Sequence, residues 1–326
     1  MSRLPLTRLF VSLSLLAGTA FAADPVTVAY QTGIDPTKVA QADGAYEKAT
    51  GSKINWRKFE SGSEVIAAIA SGDVAIGNLG SSPLAAAASR GLPIQTFLIA
   101  DEIGDAEALV VRNGSHIAKP QDLIGKKVAV PFVSTTHYSL LAALKHWKVD
   151  ASKVKILNLR PSEIAAARQR GDIDAAYVWD PVLGKAKASG KVLVSSAQVA
   201  KWGAPTYDVW IVRNDFAAKN PDFLRKFSKV SLDAIARYRA NPQGFIADSA
   251  NLAKISRLTG AKAEDVQAGL KGNNFLLQKE QIAQLQQPFV QAVGKTAEFL
   301  KAQGKVEALQ PDYRPYVTNR FVKTAN

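Results

Sequence analysis

Cysteine is absent from this 326-residue chain, and histidine occurs only three times. Without cysteine, the chain can form no disulfide bond, thiolate nucleophile or cysteine-based metal site. The histidines His116, His137 and His146 pair neither with one another nor with an acid at the spacing of metal ligands. The sequence contains no GxSxG, HExxH or phosphate-loop motif either. We therefore expect no cofactor, no metal and no catalytic centre of a familiar type.

Acidic residues are fewer than basic ones, 28 against 41, and the formal net charge at pH 7 is +13. Such a balance is typical of proteins that bind nucleic acid, an acidic surface or an anionic ligand. The lysines and arginines are spread along the whole chain, however, and no zinc-finger, basic-helix or aromatic-basic motif accompanies them. The sequence therefore predicts no nucleic-acid partner.

The apolar run near the start of the chain, residues 9–20, is too short to be a membrane anchor, because a spanning helix needs roughly 20 apolar residues. Arg3 and Arg8 precede this run, and Ala20-Phe21-Ala22 then matches the A-x-A pattern of a cleavage site. We expect residues 1–22 to be a cleaved signal peptide and the mature protein to be periplasmic. Since no cysteine follows the signal, we expect no lipid anchor.

An internal repeat organises the rest of the sequence. Residues 63–76 align without a gap with residues 162–175, at a constant offset of 99. Each half reads as strand, helix, strand, helix, strand, with Ser63 and Ser162 expected as helix N-caps. Alternating strands and helices predict a mostly parallel sheet that is flanked by helices. The expected fold class is therefore α/β, with two similar lobes.

Two strand-like segments predict where the chain passes between the lobes. Residues 108–113 and 208–214 each end in Val-Arg-Asn. We interpret them as the two crossover segments. Lobe one then comprises residues 23–109 and 209–326, and lobe two comprises residues 110–208.

A polar loop follows a strand in each half of the repeat. Residues 78–83 (NLGSSP) and 131–137 (PFVSTTH) each lead into a helix. Ligands of parallel α/β sheets bind beyond the carboxyl ends of the strands, and helix N-termini offer free N–H groups and a partial positive charge to anions. One such loop alone is more often just a well-capped helix start. A matched pair in a duplicated fold predicts a clamp for one anionic group.

The other end of the ligand is expected to meet an acidic or aromatic group. Asp208 lies where the chain returns to lobe one, Glu107 lies just before it first leaves, and Trp179 ends a strand of lobe two. A hinge carboxylate would meet a cation held between the lobes, and an indole face would cover that cation by cation–π contact. Alternatives stay open for each of them. Asp208 is alternatively a solvated acid at a strand start, Glu107 a surface acid, and Trp179 a side chain of the core.

The sequence resembles the periplasmic taurine-binding proteins of ABC importers, within the wider group that binds aliphatic sulfonates and nitrate. The matching stretches cover essentially the whole mature chain: 26–31 (VTVAYQ), 39–43 (VAQAD), 71–83 (SGDVAIGNLGSSP), 124–147, 169–179 and 202–212. The resemblance implies a type II periplasmic-binding-protein fold and a taurine or related aminoalkylsulfonate ligand. It also implies delivery to the membrane permease of an ABC importer, and we expect a monomer. The alternatives are other alkanesulfonates, nitrate, or an enzyme of the same fold.

The resemblance also implies which residues hold the ligand. The sulfonate is expected at the two helix starts and the ammonium at Asp208, with Glu107 as the second choice. The full set of expected ligand-binding residues is Gln31, Gly80, Ser81, Ser82, Glu107, Thr135, Thr136, His137, Trp179 and Asp208. Asp180 departs from the family pattern, in which an uncharged residue is expected, and leaves open a second acid near the amine.

Overall fold

The computed structural model describes residues 25–325. The expected signal peptide, residues 1–22, lies outside the described residues. The first of two five-stranded sheets has, in spatial order, β2 (Ile54–Lys58), β1 (Val26–Tyr30), β3 (Ile76–Gly80), β10 (Tyr207–Arg213) and β4 (Ile94–Glu102). Strand β1 is parallel to both of its neighbours, whereas β10 is antiparallel to β3 and β4. Four strands therefore run in one direction and one runs against them.

The second sheet repeats this arrangement. Its spatial order is β7 (Lys155–Asn158), β6 (Lys127–Val130), β8 (Ala175–Trp179), β5 (Glu107–Arg112) and β9 (Gly190–Ser195). Strand β5 is the antiparallel member, paired with β8 and β9. The prediction of two similar lobes with mostly parallel sheets is confirmed. Each sheet contains one reversed strand, and this is the strand with which the chain enters the sheet from the other one.

The chain crosses between the sheets twice. It leaves the first sheet after β4, through residues 103–106, and returns after β9, through residues 196–206. Strands β5 and β10 are therefore the first strands after each crossing, and each pairs along its length within the sheet that it enters. The division of the lobes at residues 109 and 208 stays a prediction.

Helices cover both faces of the two sheets. Those of the repeated halves are α1 (Thr37–Ala42), α2 (Ala45–Thr50), α3 (Gly62–Ala70), α4 (Ser81–Ser89), α5 (Thr135–His146), α6 (Pro161–Arg170), α7 (Val182–Ala188) and α8 (Ser196–Lys201). The C-terminal region adds α9 (Asn214–Lys219), α10 (Pro221–Ala240), α11 (Pro242–Ala247), α12 (Ser249–Thr259), α13 (Ala263–Gly272), α14 (Gln278–Gln284), α15 (Gln287–Ala302) and α16 (Arg320–Lys323). Short 3-10 turns lie at Pro120–Leu123, Ala151–Lys153 and Arg314–Tyr316.

The two helices of the repeat begin earlier than the sequence predicted. The N-cap of α3 is Ser61, whose hydroxyl accepts a hydrogen bond from the Glu64 N–H at 3.3 Å, so the expected cap at Ser63 is wrong. Helix α6 starts at Pro161 instead of after Ser162, because proline suits the first position of a helix. Both helices are shifted by about one half-turn, so the correspondence between the halves is kept.

Apolar side chains pack on both faces of each sheet. Along β5, Leu109 and Val111 belong to one cluster while Val110 belongs to the other, as expected for alternating side chains. In the first sheet, the ring of Phe97 lies 5.9 Å from that of Phe227 in α10 and 6.2 Å from that of Phe321 in α16, between centroids. The C-terminal helices α10 and α16 therefore pack on the first sheet. Within residues 25–325, no helix is long and apolar enough to cross a membrane.

Candidate ligand-binding site

A cavity of about 570 Å³, counted with its opening to solvent, lies between the two sheets. Six of the ten expected ligand-binding residues line it: Gln31, Gly80, Glu107, Thr135, Trp179 and Asp208. The lining also includes residues that sequence analysis did not select, among them Ile34, Ile103, Ala106 and Asn273. Both sheets contribute to it, because Gln31 follows β1 and Gly80 ends β3, whereas Trp179 ends β8 and Thr135 opens α5.

The two expected helix starts meet at this cavity. A β-carbon built on Gly80, directly before α4, would lie only 2.6 Å from Cγ2 of Thr135, the first residue of α5. Ordinary van der Waals contact would need a larger separation, so only glycine fits at residue 80 without a shift of the neighbouring helix start. The predicted juxtaposition of these two loops is therefore present in the fold.

Three of the residues whose hydroxyl groups were expected at the site are buried and are not among the residues that line the cavity. Ser81 is buried and its Oγ accepts a hydrogen bond from the backbone N–H of Tyr207 at 3.3 Å. Ser82 and Thr136 are completely buried, and Thr136 Oγ1 shares a hydrogen bond of 2.7 Å with Ser134 Oγ. Ser82 Oγ has no hydrogen-bond partner among the described residues, so a role for the three side chains at the ligand stays a prediction.

Thr135 and Glu107 contact each other directly. Thr135 Oγ1 donates a hydrogen bond of 2.5 Å to Glu107 Oε1, and Ser196 Oγ donates one of 3.2 Å to Glu107 Oε2. Glu107 is only 5% exposed, and this burial raises its pKa to about 8, with the Thr135 hydrogen bond opposing the shift and the charge of Asp208 adding to it. At neutral pH the carboxyl group of Glu107 is therefore mostly protonated.

Asp208 lines the cavity and interacts with a group of neighbouring charged side chains, and we call these four residues the acid cluster: Asp35, Lys38, Asp101 and Asp208. Lys38 Nζ binds Asp35 Oδ2 at 2.9 Å, and both side chains are buried. Burial raises the pKa of Asp208 to about 6, with Lys38 opposing the shift and Asp35 adding to it. The side chain of Asp208 is half-buried and faces the cavity, so it is the member of the cluster that a ligand can contact.

The other three members of the acid cluster were not among the residues expected from the sequence. Asp35 lies just before α1 and Lys38 lies in its first turn. Charged residues are common at helix starts, so these two did not indicate a binding site. Asp101 was detectable in principle, because it is a charged residue in the strand-like run Ile94–Glu102, and it is buried in the structure. A charge in a buried strand calls for a compensating partner.

Trp179 and Asp180 lie side by side on the wall contributed by the second sheet. Asp180 Oδ1 accepts a hydrogen bond from the N–H of Gly184 at 2.8 Å. Burial raises the pKa of Asp180 to about 6, against the effect of that hydrogen bond and with a smaller contribution from Asp265. Thr32 Oγ1 donates to the backbone oxygen of Asp180 at 2.8 Å, and this bond joins the residues that follow β1 to those that follow β8.

His137 lies outside the lining of the cavity. Its ring stacks on Phe132 at 4.5 Å between centroids, and its Nδ1 accepts a hydrogen bond from the N–H of Val133 at 3.4 Å. Burial and the nearby charge of Lys305 lower the pKa of His137 to about 4, so the ring is neutral at neutral pH. Among residues 25–325, no three His, Asp or Glu side chains are grouped so that they could hold a metal ion.

Comparison with known proteins places the chain in a family. Residues 31–245 match the family model described as NMT1/THI5 like. The taurine-binding periplasmic protein of Escherichia coli (strain K12) is 53% identical over 313 residues, which cover 95% of this chain and 97% of that protein. A putative aliphatic sulfonates-binding protein of Bacillus subtilis (strain 168) is 26% identical over 308 residues, covering 92% of this chain and 87% of that protein.

Solved structures show the same fold. The periplasmic aliphatic sulphonate binding protein SsuA from Escherichia coli superposes with a TM-score of 0.73 at 22% identity, covering 90% of this chain and 92% of that one. This likeness confirms the expected periplasmic-binding-protein fold. From the match over residues 31–245 and the identity with the E. coli protein, the chain belongs to the NMT1/THI5-like family, together with the taurine-binding periplasmic protein of E. coli.

Proposed function

We propose that this periplasmic protein captures taurine, or a closely related aminoalkylsulfonate, between its two lobes and delivers it to the membrane permease of an ABC importer. The observation that carries the proposal is a single cavity in which two helix starts meet at Gly80 and Thr135 and the carboxyl group of Asp208 lies beside them, 3.6 Å from where a β-carbon on Gly80 would stand. A ligand with one permanently negative and one positive end fits this arrangement. The E. coli relative is named for binding taurine.

The negative end is assigned to the starts of α4 and α5. A sulfonate stays ionised at every relevant pH, so its lost hydration must be replaced by hydrogen-bond donors. The first turns of the two helices offer free backbone N–H groups and the positive ends of two helix dipoles. Because residue 80 is a glycine, the backbone itself can approach the anion closely. Gln31, which lines the same cavity, adds a side-chain amide.

The positive end is assigned to Asp208. Lys38 is occupied by Asp35, so the carboxyl groups of Asp101 and Asp208 have no cation of their own within the acid cluster. An ammonium group beside Asp208 would supply the missing charge. Trp179 lines the cavity and offers an indole face to the same group. Nitrate and simple alkanesulfonates have no such positive end and would leave the acid cluster uncompensated.

Binding without catalysis is part of the proposal. The one imaginable nucleophile and base, Ser134 and His137, are not arranged for reaction: Ser134 Oγ donates to the backbone oxygen of Pro131 at 2.6 Å, and the His137 ring is stacked on Phe132. A nucleophile and its base would need a hydrogen bond between their side chains. Ser134 instead caps α5 by accepting the N–H of His137.

Lobe closure is supported by hydrogen bonds that join residues flanking the first sheet to residues flanking the second. Besides the bond from Thr32 to Asp180, Ser162 Oγ donates to Glu60 Oε2 at 2.7 Å. Closure by hinge motion around a ligand is the usual behaviour of periplasmic binding proteins, and the closed shape is what a permease can distinguish from the empty form.

A thermal-shift and calorimetry panel tests the proposed function. The mature protein is titrated with taurine, ethanesulfonate, nitrate and 2-aminoethylphosphonate. A ligand that binds only the folded state raises the melting temperature by mass action, so taurine is expected to give the largest shift. Equal or larger shifts with ethanesulfonate or nitrate would refute an aminoalkylsulfonate ligand.

A further inference from the structure

Asp101 of β4 lies directly opposite Asp208 of β10 on neighbouring antiparallel strands. Directly opposed residues of such a pair have side chains on the same face, with β-carbons about 4.5–5.5 Å apart. The register slips by one residue beside this pair, between Asp208 and Val209, and an irregularity of this kind re-aims side chains locally. The fold therefore brings two carboxyl groups together on one face of the first sheet.

Asp101 is the more deeply buried member of this pair. It is 2% exposed, and its Oδ1 is buried without a hydrogen-bond partner. The charged groups that act on it are Asp208 on β10, Asp35 and Lys38 at α1, and Glu107 on β5. Lys38 is the one cation among these described neighbours, and its Nζ is bound to Asp35. Asp101 is thus surrounded mainly by acids.

Two carboxyl groups on directly opposed residues do not both ionise easily when one of them is buried and the other is half-buried. Each negative charge disfavours the other, and burial disfavours both, so such pairs commonly share one proton. Burial and the charge of Asp208 raise the pKa of Asp101 well above its usual range. Asp208 differs from Asp101 in facing the cavity, where a ligand can reach it.

We propose that Asp101 and Asp208 form a carboxyl pair that holds a proton in the empty protein and releases it when the ligand's ammonium group binds beside Asp208. The proton leaves through the cavity to the buffer, and no covalent bond changes. Asp101 is a positioning residue here, since it acts on the ligand through Asp208. The inference rests on the proposed function, because it needs a ligand with a positive end.

The sign of the linkage follows from the charges. An ammonium group lowers the pKa of a neighbouring carboxyl group, so binding releases protons, and taurine affinity falls as the pH falls. If one full proton is exchanged, the dissociation constant changes by about tenfold per pH unit on the acid side of the transition. A sulfonate without an amine meets only the helix starts, and its affinity is expected to change far less.

Isothermal titration calorimetry measures the released protons directly. Taurine is titrated into the mature protein at one pH near neutrality, in buffers that differ in ionisation enthalpy, and the slope of heat against that enthalpy gives the number of protons exchanged. We expect release of up to about one proton with taurine and close to none with ethanesulfonate. Asp101→Asn should still bind taurine but release markedly fewer protons. Asp233→Asn, which changes an exposed acid in α10, should behave as the unchanged protein does.

The possible failures are distinguishable. If taurine binds and the heat of binding does not depend on the ionisation enthalpy of the buffer, the carboxyl pair is refuted and the proposed function stands. If taurine does not bind at all, both are refuted. Release that persists unchanged in Asp101→Asn also refutes the pair. Should that variant not fold, Glu107→Gln decides: loss of the release would assign the proton to Glu107, and its persistence supports the pair.

Discussion

Gly80 and Thr135 approach each other so closely that a β-carbon on residue 80 would lie 2.6 Å from Thr135 Cγ2. Gly80 ends β3 of the first sheet and Thr135 opens α5, which follows β6 of the second sheet, so this approach joins the two halves of the fold. Gly80→Ala would force the two helix starts apart. Overpacking of this kind typically costs about 1–3 kcal/mol, so we expect taurine affinity to fall by roughly 5- to 150-fold.

The measurement for Gly80→Ala combines calorimetry with small-angle scattering. The variant should remain folded and show a larger radius of gyration with taurine present than the unchanged protein does. Gly294→Ala is the matched control, because a β-carbon there meets Tyr313 at an ordinary 3.6 Å. Unaltered affinity in Gly80→Ala would show that the helix starts do not close on the ligand.

Asp208→Ala tests the positive end of the ligand. Removing one partner of a buried charge pair costs about 2–5 kcal/mol, and we expect a loss of this size for taurine. Ethanesulfonate, which has no amine, should lose much less. The two dissociation constants are compared by calorimetry. If both ligands lose the same affinity, Asp208 does not hold the ammonium group.

Thr32→Val tests the hydrogen bond that joins Thr32 to the backbone of Asp180. The substitution keeps the shape of the side chain and removes the bond from Oγ1 to the Asp180 oxygen. A hydrogen bond of this type contributes about 0.5–1.5 kcal/mol, so taurine and ethanesulfonate should both bind a few-fold more weakly and dissociate faster. Thr50→Val is the control, since Thr50 Oγ1 bonds Tyr46 within α2. Stopped-flow dissociation rates equal to those of the unchanged protein would contradict a closing role for Thr32.

The pH dependence of stability tests the burial of Glu107. Its pKa is about 8 in the folded protein against an ordinary 4.5, so the folded state retains a proton that the unfolded state loses. The free energy of unfolding of the empty protein should therefore fall as the pH rises from about 5 to 8, at up to about 1.4 kcal/mol per pH unit from this group. Asp208, with its pKa near 6, adds a similar trend at lower pH.

Urea unfolding at pH 5, 6, 7 and 8 provides the measurement. Glu107→Gln should flatten this profile, because glutamine has no proton to lose. Glu298→Gln, at an exposed position of α15, should leave the profile unchanged. Parallel profiles for Glu107→Gln and the unchanged protein would mean that Glu107 is ionised in the folded state.

Much of the fold could be predicted from the repeat. Residues 63–76 and 162–175 correspond to α3 with the start of β3 and to α6 with the start of β8, and the matching sheet orders follow from that duplication. The cavity-lining residues found from the sequence, such as Gly80 and Trp179, end strands. Strand ends are recognisable from local patterns, and they meet at one edge of a parallel sheet.

Side-chain direction and distant pairing could not be predicted in the same way. Ser82 and Thr136 were expected at the ligand because they lie in the first turns of helices, yet neither is among the residues that line the cavity, and a helix start does not specify which side its side chains face. Asp101 and Asp208 are neighbours only because β10 enters the first sheet between β3 and β4. Because the two residues are far apart along the chain, no local sequence pattern could predict that they are neighbours.

The two crossings have a consequence for the order of events during capture. Glu107 begins the strand after the first crossing, and Asp208 is the second residue of the strand after the other crossing, so both acids lie at the pivot between the lobes. Gly80 pairs with Asp208, and Thr135 is bonded to Glu107, so each helix start stays with one of these acids when the lobes rotate. The open protein would then still hold the acid cluster beside Gly80, and the amine of a zwitterion would be bound there before the two helix starts close on its sulfonate.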